Sequence, residues 1–203
     1  MDVSQVQIPL RLRKFTKGVE FFSMPFFCAF NFFSYICNMK NELPYEKTGN
    51  AIKGYTESVI ARGETNDCVV RAFASSFDVS YDFAHKYVAD EFKRKPRKGT
   101  YGTIKTLVKM SDNSLKVNGK KICPVGVRNN HHMLGSLMYD VTVKGVTKKR
   151  NMTVGTFVKQ NPKGTFFVLV RQHAFTIKDG VVIGNPEDAT KTKRPMRCAF
   201  EIK

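Results

Sequence analysis

The spacing of the apolar positions changes along this chain. From residue 68 to residue 110 apolar side chains recur every three or four residues, which is the spacing of amphipathic helices. After about residue 115 they alternate with polar residues or form short runs between turn residues, as in strands. The expected helices cover 68–77, 80–93, 101–110 and a short stretch at 154–159, and the expected strands lie within 115–127, 138–146, 165–170 and 196–202. Helices that precede a largely antiparallel run of strands predict an α+β fold.

A further hairpin is predicted around Asp179-Gly180, because Asp-Gly between two apolar runs is a strong signal for a two-residue turn. Pairing about that turn joins residues whose numbers sum to about 359, so position 173 lies roughly opposite position 186. Opposite residues in a hairpin are about 5 Å apart. The pattern therefore predicts that His173, near the start of one strand, neighbours Asn185, which follows the next strand.

The loop before the first helix carries a cysteine into the helix's first turn. Asn66 and Asp67 are both good N-cap residues, because their short side chains accept hydrogen bonds from unpaired backbone N–H groups. The positive end of the helix favours the thiolate of Cys68, and the thiolate is the reactive form. Cys68 is thus a candidate nucleophile, and the alternative is a small buried apolar residue. A nearby asparagine could orient the His173 imidazole, and an oriented imidazole can take the proton of a thiol.

The chain order of these residues resembles that of papain-like cysteine peptidases: a cysteine at a helix start, a histidine on a strand, and an asparagine or aspartate after the next turn. The local sequence resembles that of papain-like proteins of phages and their hosts in three segments. These are Asn66-Asp67-Cys68-Val69-Val70-Arg71-Ala72, Pro162-Lys163-Gly164-Thr165-Phe166, and His173-Ala174-Phe175 followed by Asp179-Gly180. The resemblance covers about residues 63–202. It implies a papain-like fold with the nucleophile helix packed on the sheet. It also implies roles for Cys68 as nucleophile, His173 as general base and acid, and Asn185 as the orienting residue.

One position departs from the papain-like pattern. Such enzymes usually place a glutamine a few residues before the cysteine, where it donates a hydrogen bond to the oxyanion, whereas residues 62–65 here are Arg-Gly-Glu-Thr. The candidates for that donor are Asn66, Gln172 and the backbone N–H of Cys68.

Two functions follow from these features. The first is a thiol hydrolase, a cysteine peptidase or isopeptidase, that acts on a protein or peptide through a Cys-His-Asn triad without a cofactor. The same residues would serve an acyltransferase or a deamidase. The second is a catalytically weak or inactive basic protein of the same fold that binds nucleic acid or a host protein.

The charge of the chain supports an anionic partner. Lys and Arg number 34 against 17 Asp and Glu, which gives a net charge of +17. A field of this size attracts nucleic acid, acidic proteins or anionic membranes. The densest basic segment is a loop after the second helix, whose candidate polyanion-binding residues are Lys93, Arg94, Lys95, Arg97 and Lys98. The alternative is an ordinary solvated loop.

Residues 1–40 are predicted to be an extension to a catalytic domain at 41–203. Basic residues precede an uncharged aromatic run at 21–37, an arrangement that resembles a membrane anchor or export segment. The run is 17 residues long and contains Pro25 and Asn31, so it is short for a span. It could instead pack on the domain as core, or belong to an extension upstream of a start at Met39. A membrane partner is expected only through this run.

Cysteine and histidine usage bears on location and on metals. Five cysteines without Cys-x-x-Cys spacing fit a reducing compartment, so we expect a cytoplasmic protein, in the host cytoplasm if it is phage-encoded, with membrane anchoring as the alternative. His131 and His132 have no neighbouring ligands at metal-binding spacing, and no metal is expected. His85, beside the apolar stripe of the second helix, is predicted to be structural.

Overall fold

The computed structural model describes residues 42–125 and 137–203. The helices in these ranges are α1 (Thr48–Ala51), α2 (Val59–Gly63), α3 (Cys68–Phe77), α4 (Tyr81–Glu91), α5 (Thr103–Asp112), α6 (Val154–Gln160) and α7 (Pro186–Thr190). The strands are β1 (Tyr45–Lys47), β2 (Lys116–Val117), β3 (Lys120–Val125), β4 (Met138–Val143), β5 (Val146–Asn151), β6 (Thr165–Val170), β7 (His173–Lys178), β8 (Val181–Gly184) and β9 (Met196–Ile202). The fold is α+β, as the helical and strand spacings predict.

Seven of the described strands form one sheet in the order β1-β8-β7-β6-β9-β3-β2. β1 pairs with β8 in parallel, and the other pairs are antiparallel. In the β7–β8 hairpin Thr176 pairs with Ile183 and Lys178 pairs with Val181, which is the register predicted from the Asp179-Gly180 turn. Both turn residues have positive φ, 49° and 79°, the backbone that Asp-Gly sequences favour.

The centre of the sheet is buried on both faces. Along β6 the side chains of Phe166, Val168 and Val170 enter one apolar cluster, and those of Phe167 and Leu169 enter the other. Helices α3 and α4 contribute to the second of these clusters, and α6 contributes to the first. A strand covered on both sides has no polar face, which explains why residues 166–170 form a continuous apolar run.

Helix α3 is fastened to strand β7 by buried hydroxyl groups. The Ser75 and Thr176 hydroxyl oxygens are 2.7 Å apart, and the Thr176 hydroxyl also donates to the Ala72 carbonyl at 2.9 Å. Helix α3 begins at Cys68 and β7 begins at His173. This docking therefore fixes the two elements that carry the predicted nucleophile and base.

Two sequence expectations about the elements need correction. Residues 138–146, predicted as one strand, belong to a separate two-stranded hairpin of β4 and β5 that turns at Lys144-Gly145. The turn needs positive φ at both positions, and lysine is an uncommon residue at φ 51°. The prediction also missed β1, since three residues of parallel pairing with β8 leave little pattern in the sequence.

Several predictions concern residues outside the described ranges. The aromatic run at 21–37, the boundary near residue 40 and His131-His132 all lie there. Among the described residues no helix combines the length and apolar character needed to cross a membrane.

Candidate active site

Cys68 is the first residue of helix α3, as predicted, and is half-buried. Asp67 occupies the N-cap position, but its carboxylate does not cap the helix. It instead accepts a hydrogen bond from the Tyr81 hydroxyl at 2.8 Å and lies 3.0 Å from Arg71 Nε. The predicted capping role of the Asp67 side chain is therefore wrong, because a buried carboxylate finds a phenol and a guanidinium within reach.

His173 is the first residue of β7, directly after a tight turn from β6 at Arg171-Gln172. Its Nε2–H donates to Asp188 Oδ2 at 2.9 Å. Because Nε2 faces this carboxylate, Nδ1 is the nitrogen left for the thiol of Cys68. The His173 ring also stacks on Phe175, with ring centroids 6.1 Å apart, and this contact further fixes its orientation.

Asp188 holds the imidazole, which corrects the role predicted for Asn185. It lies in α7 with 2% of its surface exposed. Besides His173, its carboxylate accepts the Asn185 backbone N–H at 2.8 Å and Arg194 Nη1 at 3.1 Å. Gly184 leaves room for it, since a Cβ at that position would lie 2.7 Å from Asp188 Oδ2. The carboxylate is thus bound on several sides and aimed at the histidine.

Asn185 contributes to the same network through another partner. Its Oδ1 accepts a hydrogen bond from Arg71 Nη1 at 2.9 Å, 114 residues away in sequence. Arg71 also pairs with Asp67, so it joins the nucleophile helix to the loop that precedes α7. The hairpin prediction correctly placed Asn185 near His173, but the chain turns into α7 in such a way that Asp188 makes the hydrogen bond to the imidazole.

The thiol and the imidazole shift each other's protonation. Burial alone would raise the pKa of the Cys68 thiol, but the hydrogen bond and charge of His173, the Ala174 backbone and the nearby Arg71 together lower it. Burial alone would lower the pKa of His173, whereas the hydrogen bonds of Asp188 and Cys68 raise it to about 9. Both directions favour a thiolate–imidazolium pair at neutral pH.

A cleft of about 1270 Å³ opens over this pair. Asn66 and Gln172, the two side-chain oxyanion candidates, both line the cleft, and their backbones have positive φ of 55° and 58°. Asn66 Nδ2 donates to the Arg97 carbonyl at 3.4 Å, while the Gln172 side chain is exposed. The backbone N–H of Cys68 lies in the first turn of α3, where helix N–H groups have no intrahelical acceptor.

The basic residues of the predicted polyanion-binding loop differ in their exposure to solvent. Lys93, Lys95, Arg97 and Lys98 are exposed, as that role requires. Arg94 is not available, since its side chain is fully buried and donates from Nη2 to Glu64 Oε2 at 2.7 Å. The loop folds back over the segment before Cys68, where Arg94 Nη2 also donates to the Thr65 carbonyl, and this packing buries Arg94.

Glu64 is the anchor for that loop, and the sequence reasoning missed it. Its carboxylate accepts the backbone N–H of Arg97 at 3.0 Å and contacts His85 Nε2 at 2.8 Å. Burial alone would raise its pKa, but hydrogen bonds from Arg94 and His85 hold that pKa at about 2. Glu64 thereby fixes the basic loop against residues 63–66, just ahead of the nucleophile.

The other described cysteines differ from Cys68. Cys198 is buried, and burial raises its pKa to about 12, whereas Cys123 is partly exposed. Within 42–125 and 137–203, no three His, Cys, Asp or Glu side chains cluster in a way that could hold a metal ion.

Comparison with protein-family models, with curated proteins and with solved structures found no match for this chain.

Proposed function

We propose that this protein is a papain-like thiol hydrolase, a cysteine peptidase or isopeptidase, in which Cys68 is the nucleophile. The observation that carries the proposal is the meeting of the Cys68 thiol and the His173 imidazole in one cleft, with buried Asp188 behind the ring. A nucleophile, a base and a group that orients the base are the elements of nucleophilic acyl transfer. Here the proposed triad is Cys68, His173 and Asp188.

In the proposed reaction the Cys68 thiolate attacks the carbonyl carbon of an amide and forms a C–S bond. The Nδ1–H of the His173 imidazolium protonates the leaving amine as the C–N bond breaks. His173 then takes a proton from water, whose oxygen attacks the thioester and releases a carboxylic acid and the cysteine. Proton transfer by the imidazole would contribute about 10²–10⁴-fold to the rate. In this proposal the Cys68 backbone N–H, together with Asn66 or Gln172 from the cleft lining, would stabilise the oxyanion.

The test needs no knowledge of the substrate. Full-length protein is treated with iodoacetamide at pH 6, and the alkylated cysteines are identified by peptide mass spectrometry. We expect Cys68 to react at least about tenfold faster than the other cysteines, because its lowered pKa gives it a larger thiolate fraction than theirs at this pH. Cys198, with its raised pKa, is the internal control. Equal or slower reaction of Cys68 would contradict the proposal.

Hydrolysis itself is tested with a panel of peptide esters and amides and with acyl-trapping peptide aldehydes. Cys68→Ala should abolish turnover and leave the thermal unfolding midpoint unchanged within a few degrees, since a half-buried thiol contributes little packing. Turnover that survives this substitution would exclude the thiol mechanism.

The second candidate function is a basic binding protein on the same scaffold. Its support is the exposed set Lys93, Lys95, Arg97 and Lys98, of which Lys98 lines the cleft. Binding driven by phosphates weakens steeply as salt is added. A salt-sensitive affinity for nucleic acid that Cys68→Ala leaves unchanged, together with no turnover on any acyl substrate, would favour this function.

A further inference from the structure

The cleft over Cys68 is lined by positive charge and by no acidic residue among the described ones. Arg71, Lys98 and Lys105 line it together with His173, and the residues between them are neutral. Lys98 lies at the end of the basic loop and Lys105 in the first turns of α5, and both belong to the part of the cleft lining contributed by residues 98–108. The excess of basic over acidic residues is therefore found in the cleft lining itself, and not only in the net charge of the whole chain.

The carboxylates closest to the site are already matched by arginines. Asp67 pairs with Arg71, Asp188 with Arg194 and Glu64 with Arg94, and each of these carboxylates is at least nine-tenths buried. In contrast, Lys98 and Lys105 are exposed, and no carboxylate in the described part of the chain lies within ion-pair distance of either. The charge of these two lysines is therefore the uncompensated charge of the cleft.

The cleft lining also offers contacts for an extended chain. Apolar side chains of Val69, Ile104, Val108 and Leu169 line the cleft beside the charged groups. The Thr100 hydroxyl oxygen is buried without a hydrogen-bond partner, and Tyr101 is 87% exposed at the rim. Polar groups that bond to a peptide backbone and apolar pockets for its side chains are the features by which extended peptides are recognised. A single aromatic residue does not form the repeated stacking surface that single-stranded nucleic acid uses.

We infer that the enzyme selects acidic peptide segments, with Lys98 and Lys105 as the residues that determine specificity by contacting carboxylates close to the scissile bond. This inference rests on the proposed function, because it assigns a substrate class to the same cleft. The remaining exposed basic residues of the loop, Lys93, Lys95 and Arg97, extend the positive surface and would steer acidic proteins toward it.

The first experiment measures the sign of the field at the thiol. Full-length protein is treated with two methanethiosulfonates of similar size, one carrying a sulfonate and one a trimethylammonium group. The rate of mixed-disulfide formation at Cys68 is followed by mass spectrometry and normalised to the rates with a free thiol in solution. We expect the anionic reagent to react faster, with a ratio that falls when salt is raised, because exposed charges are screened.

Matched double variants assign that preference to the cleft. The test variant carries Lys98→Gln and Lys105→Gln, and the control carries Lys95→Gln and Lys109→Gln, from the same loop and the same helix but outside the cleft lining. Both lose two positive charges. At low salt the normalised ratio should fall about fivefold or more in the test variant and less than about twofold in the control. An unchanged ratio, or equal falls in both variants, would overturn the inference.

Peptide probes then test the substrate class. Peptidyl vinyl sulfones that carry Glu or Lys beside the electrophile should label Cys68 at rates that differ at least about tenfold in favour of Glu, and the difference should shrink in the test variant. Equal rates would contradict the assignment. Stronger protection of Cys68 by a single-stranded oligonucleotide than by an acidic peptide would assign the cleft to nucleic acid and overturn it as well.

Failure of the inferred substrate class can be distinguished from failure of the proposed thiol mechanism. If Cys68 is not selectively alkylated by neutral iodoacetamide at pH 6, the thiol mechanism fails. If it is alkylated normally and shows no charge preference, only the substrate class fails.

Discussion

Two histidines of this protein each contact a carboxylate, yet their surroundings differ. His173 lies 2.9 Å from Asp188 and His85 lies 2.8 Å from Glu64, and each carboxylate also binds an arginine. On its other side His173 meets a cysteine at the start of a helix and opens into the cleft. His85 is instead packed beside the fully buried Arg94 side chain, whose Nη1 lies 3.3 Å from its Nε2, and it does not line the cleft.

The comparison teaches that a histidine–carboxylate pair does not by itself make a reactive site. At His173 the carboxylate and the thiol both favour the protonated ring, and its pKa rises to about 9. At His85 the carboxylate is shared with Arg94 and the Arg97 backbone, so its charge holds a loop in place. The reactive group and its access to substrate distinguish the two regions.

The largest effect should come from removing the two rings in turn. His173→Ala removes the largest of the interactions that lower the pKa of Cys68, so that pKa should rise. We expect turnover to fall about 10²–10⁴-fold and alkylation at pH 6 to slow by at least about tenfold. His85→Ala should change both rates less than about threefold and lower stability instead. Alkylation kinetics and urea unfolding of both variants measure these effects. Equal losses of reactivity would contradict the distinction between a reactive His173 and a structural His85.

Neutralising the two carboxylates should separate reactivity from stability. Asp188→Asn removes the charge that raises the pKa of His173, so that pKa falls and the thiolate form of Cys68 becomes at least about tenfold rarer at pH 6. The pH–rate midpoint for alkylation should move upward. Glu64→Gln leaves the buried Arg94 without a counter-charge and should lower the free energy of unfolding by about 3 kcal/mol, with reactivity retained. An unmoved midpoint in Asp188→Asn would show that this carboxylate does not hold the imidazolium.

Glu64 also makes part of the folding stability contributed by the region around His85 sensitive to acid. Its folded pKa of about 2 lies below the ordinary value of 4.5, so its contribution to stability is present above pH 4.5 and is lost as the pH falls toward 2. In Glu64→Gln this loss should be absent, and the wild-type and variant stabilities should converge as the pH falls through that window. Urea titrations at pH 2.5, 3.5 and 5 would measure the convergence, and parallel curves would contradict it.

Much of the fold could be predicted from the sequence because its signals are local. The register around Asp179-Gly180 and the bounds of α3, β6 and β9 follow from turn chemistry and apolar spacing, and the structure reproduces them. Local chemistry also sets the starts of α4 and α6, where the Ser80 and Thr153 hydroxyl oxygens each accept a backbone N–H of the first turn. The Lys144-Gly145 turn was missed because its first residue is atypical.

The site was predicted less completely because its partners are chosen by tertiary contacts. The sequence places Cys68 and His173 in the cleft, but Asp188 and Asn185 are only three residues apart, and spacing cannot decide between them. The decision depends on the close approach of Asp188 to Gly184 and on a carboxylate that folds back to the Asn185 N–H. Arg94 was assigned to the surface because its partner Glu64 lies 30 residues earlier.

Adding one methyl group beside each carboxylate tests the difference between the two regions without changing any charge. In Gly184→Ala the new Cβ would lie 2.7 Å from Asp188 Oδ2 and 2.9 Å from Phe175 Cβ, so Asp188 must move away from His173. We expect the alkylation rate at pH 6 and any turnover to fall about tenfold. Gly63→Ala is the control near Glu64, because its Cβ would meet only Arg97 Nη2, at 3.9 Å. Loss of reactivity in the control, or none in Gly184→Ala, would argue against the role of this close approach.

The smallest expected effect tests which of two neighbouring residues orients the imidazole. Asn185→Ala removes a hydrogen bond to Arg71 and leaves its own backbone N–H to bind Asp188, so the contact between Asp188 and His173 should persist. Reactivity of Cys68 should fall only about two- to threefold, with an unchanged pH–rate midpoint, because Arg71 keeps its pairing with Asp67. Alkylation of Asn185→Ala and Asp188→Asn across pH 5 to 9 gives the comparison directly. A midpoint that moves as far in Asn185→Ala as in Asp188→Asn would contradict the assignment, because the carboxylate of Asp188 would then have no larger effect on the thiolate–imidazolium pair than the neutral side chain of Asn185.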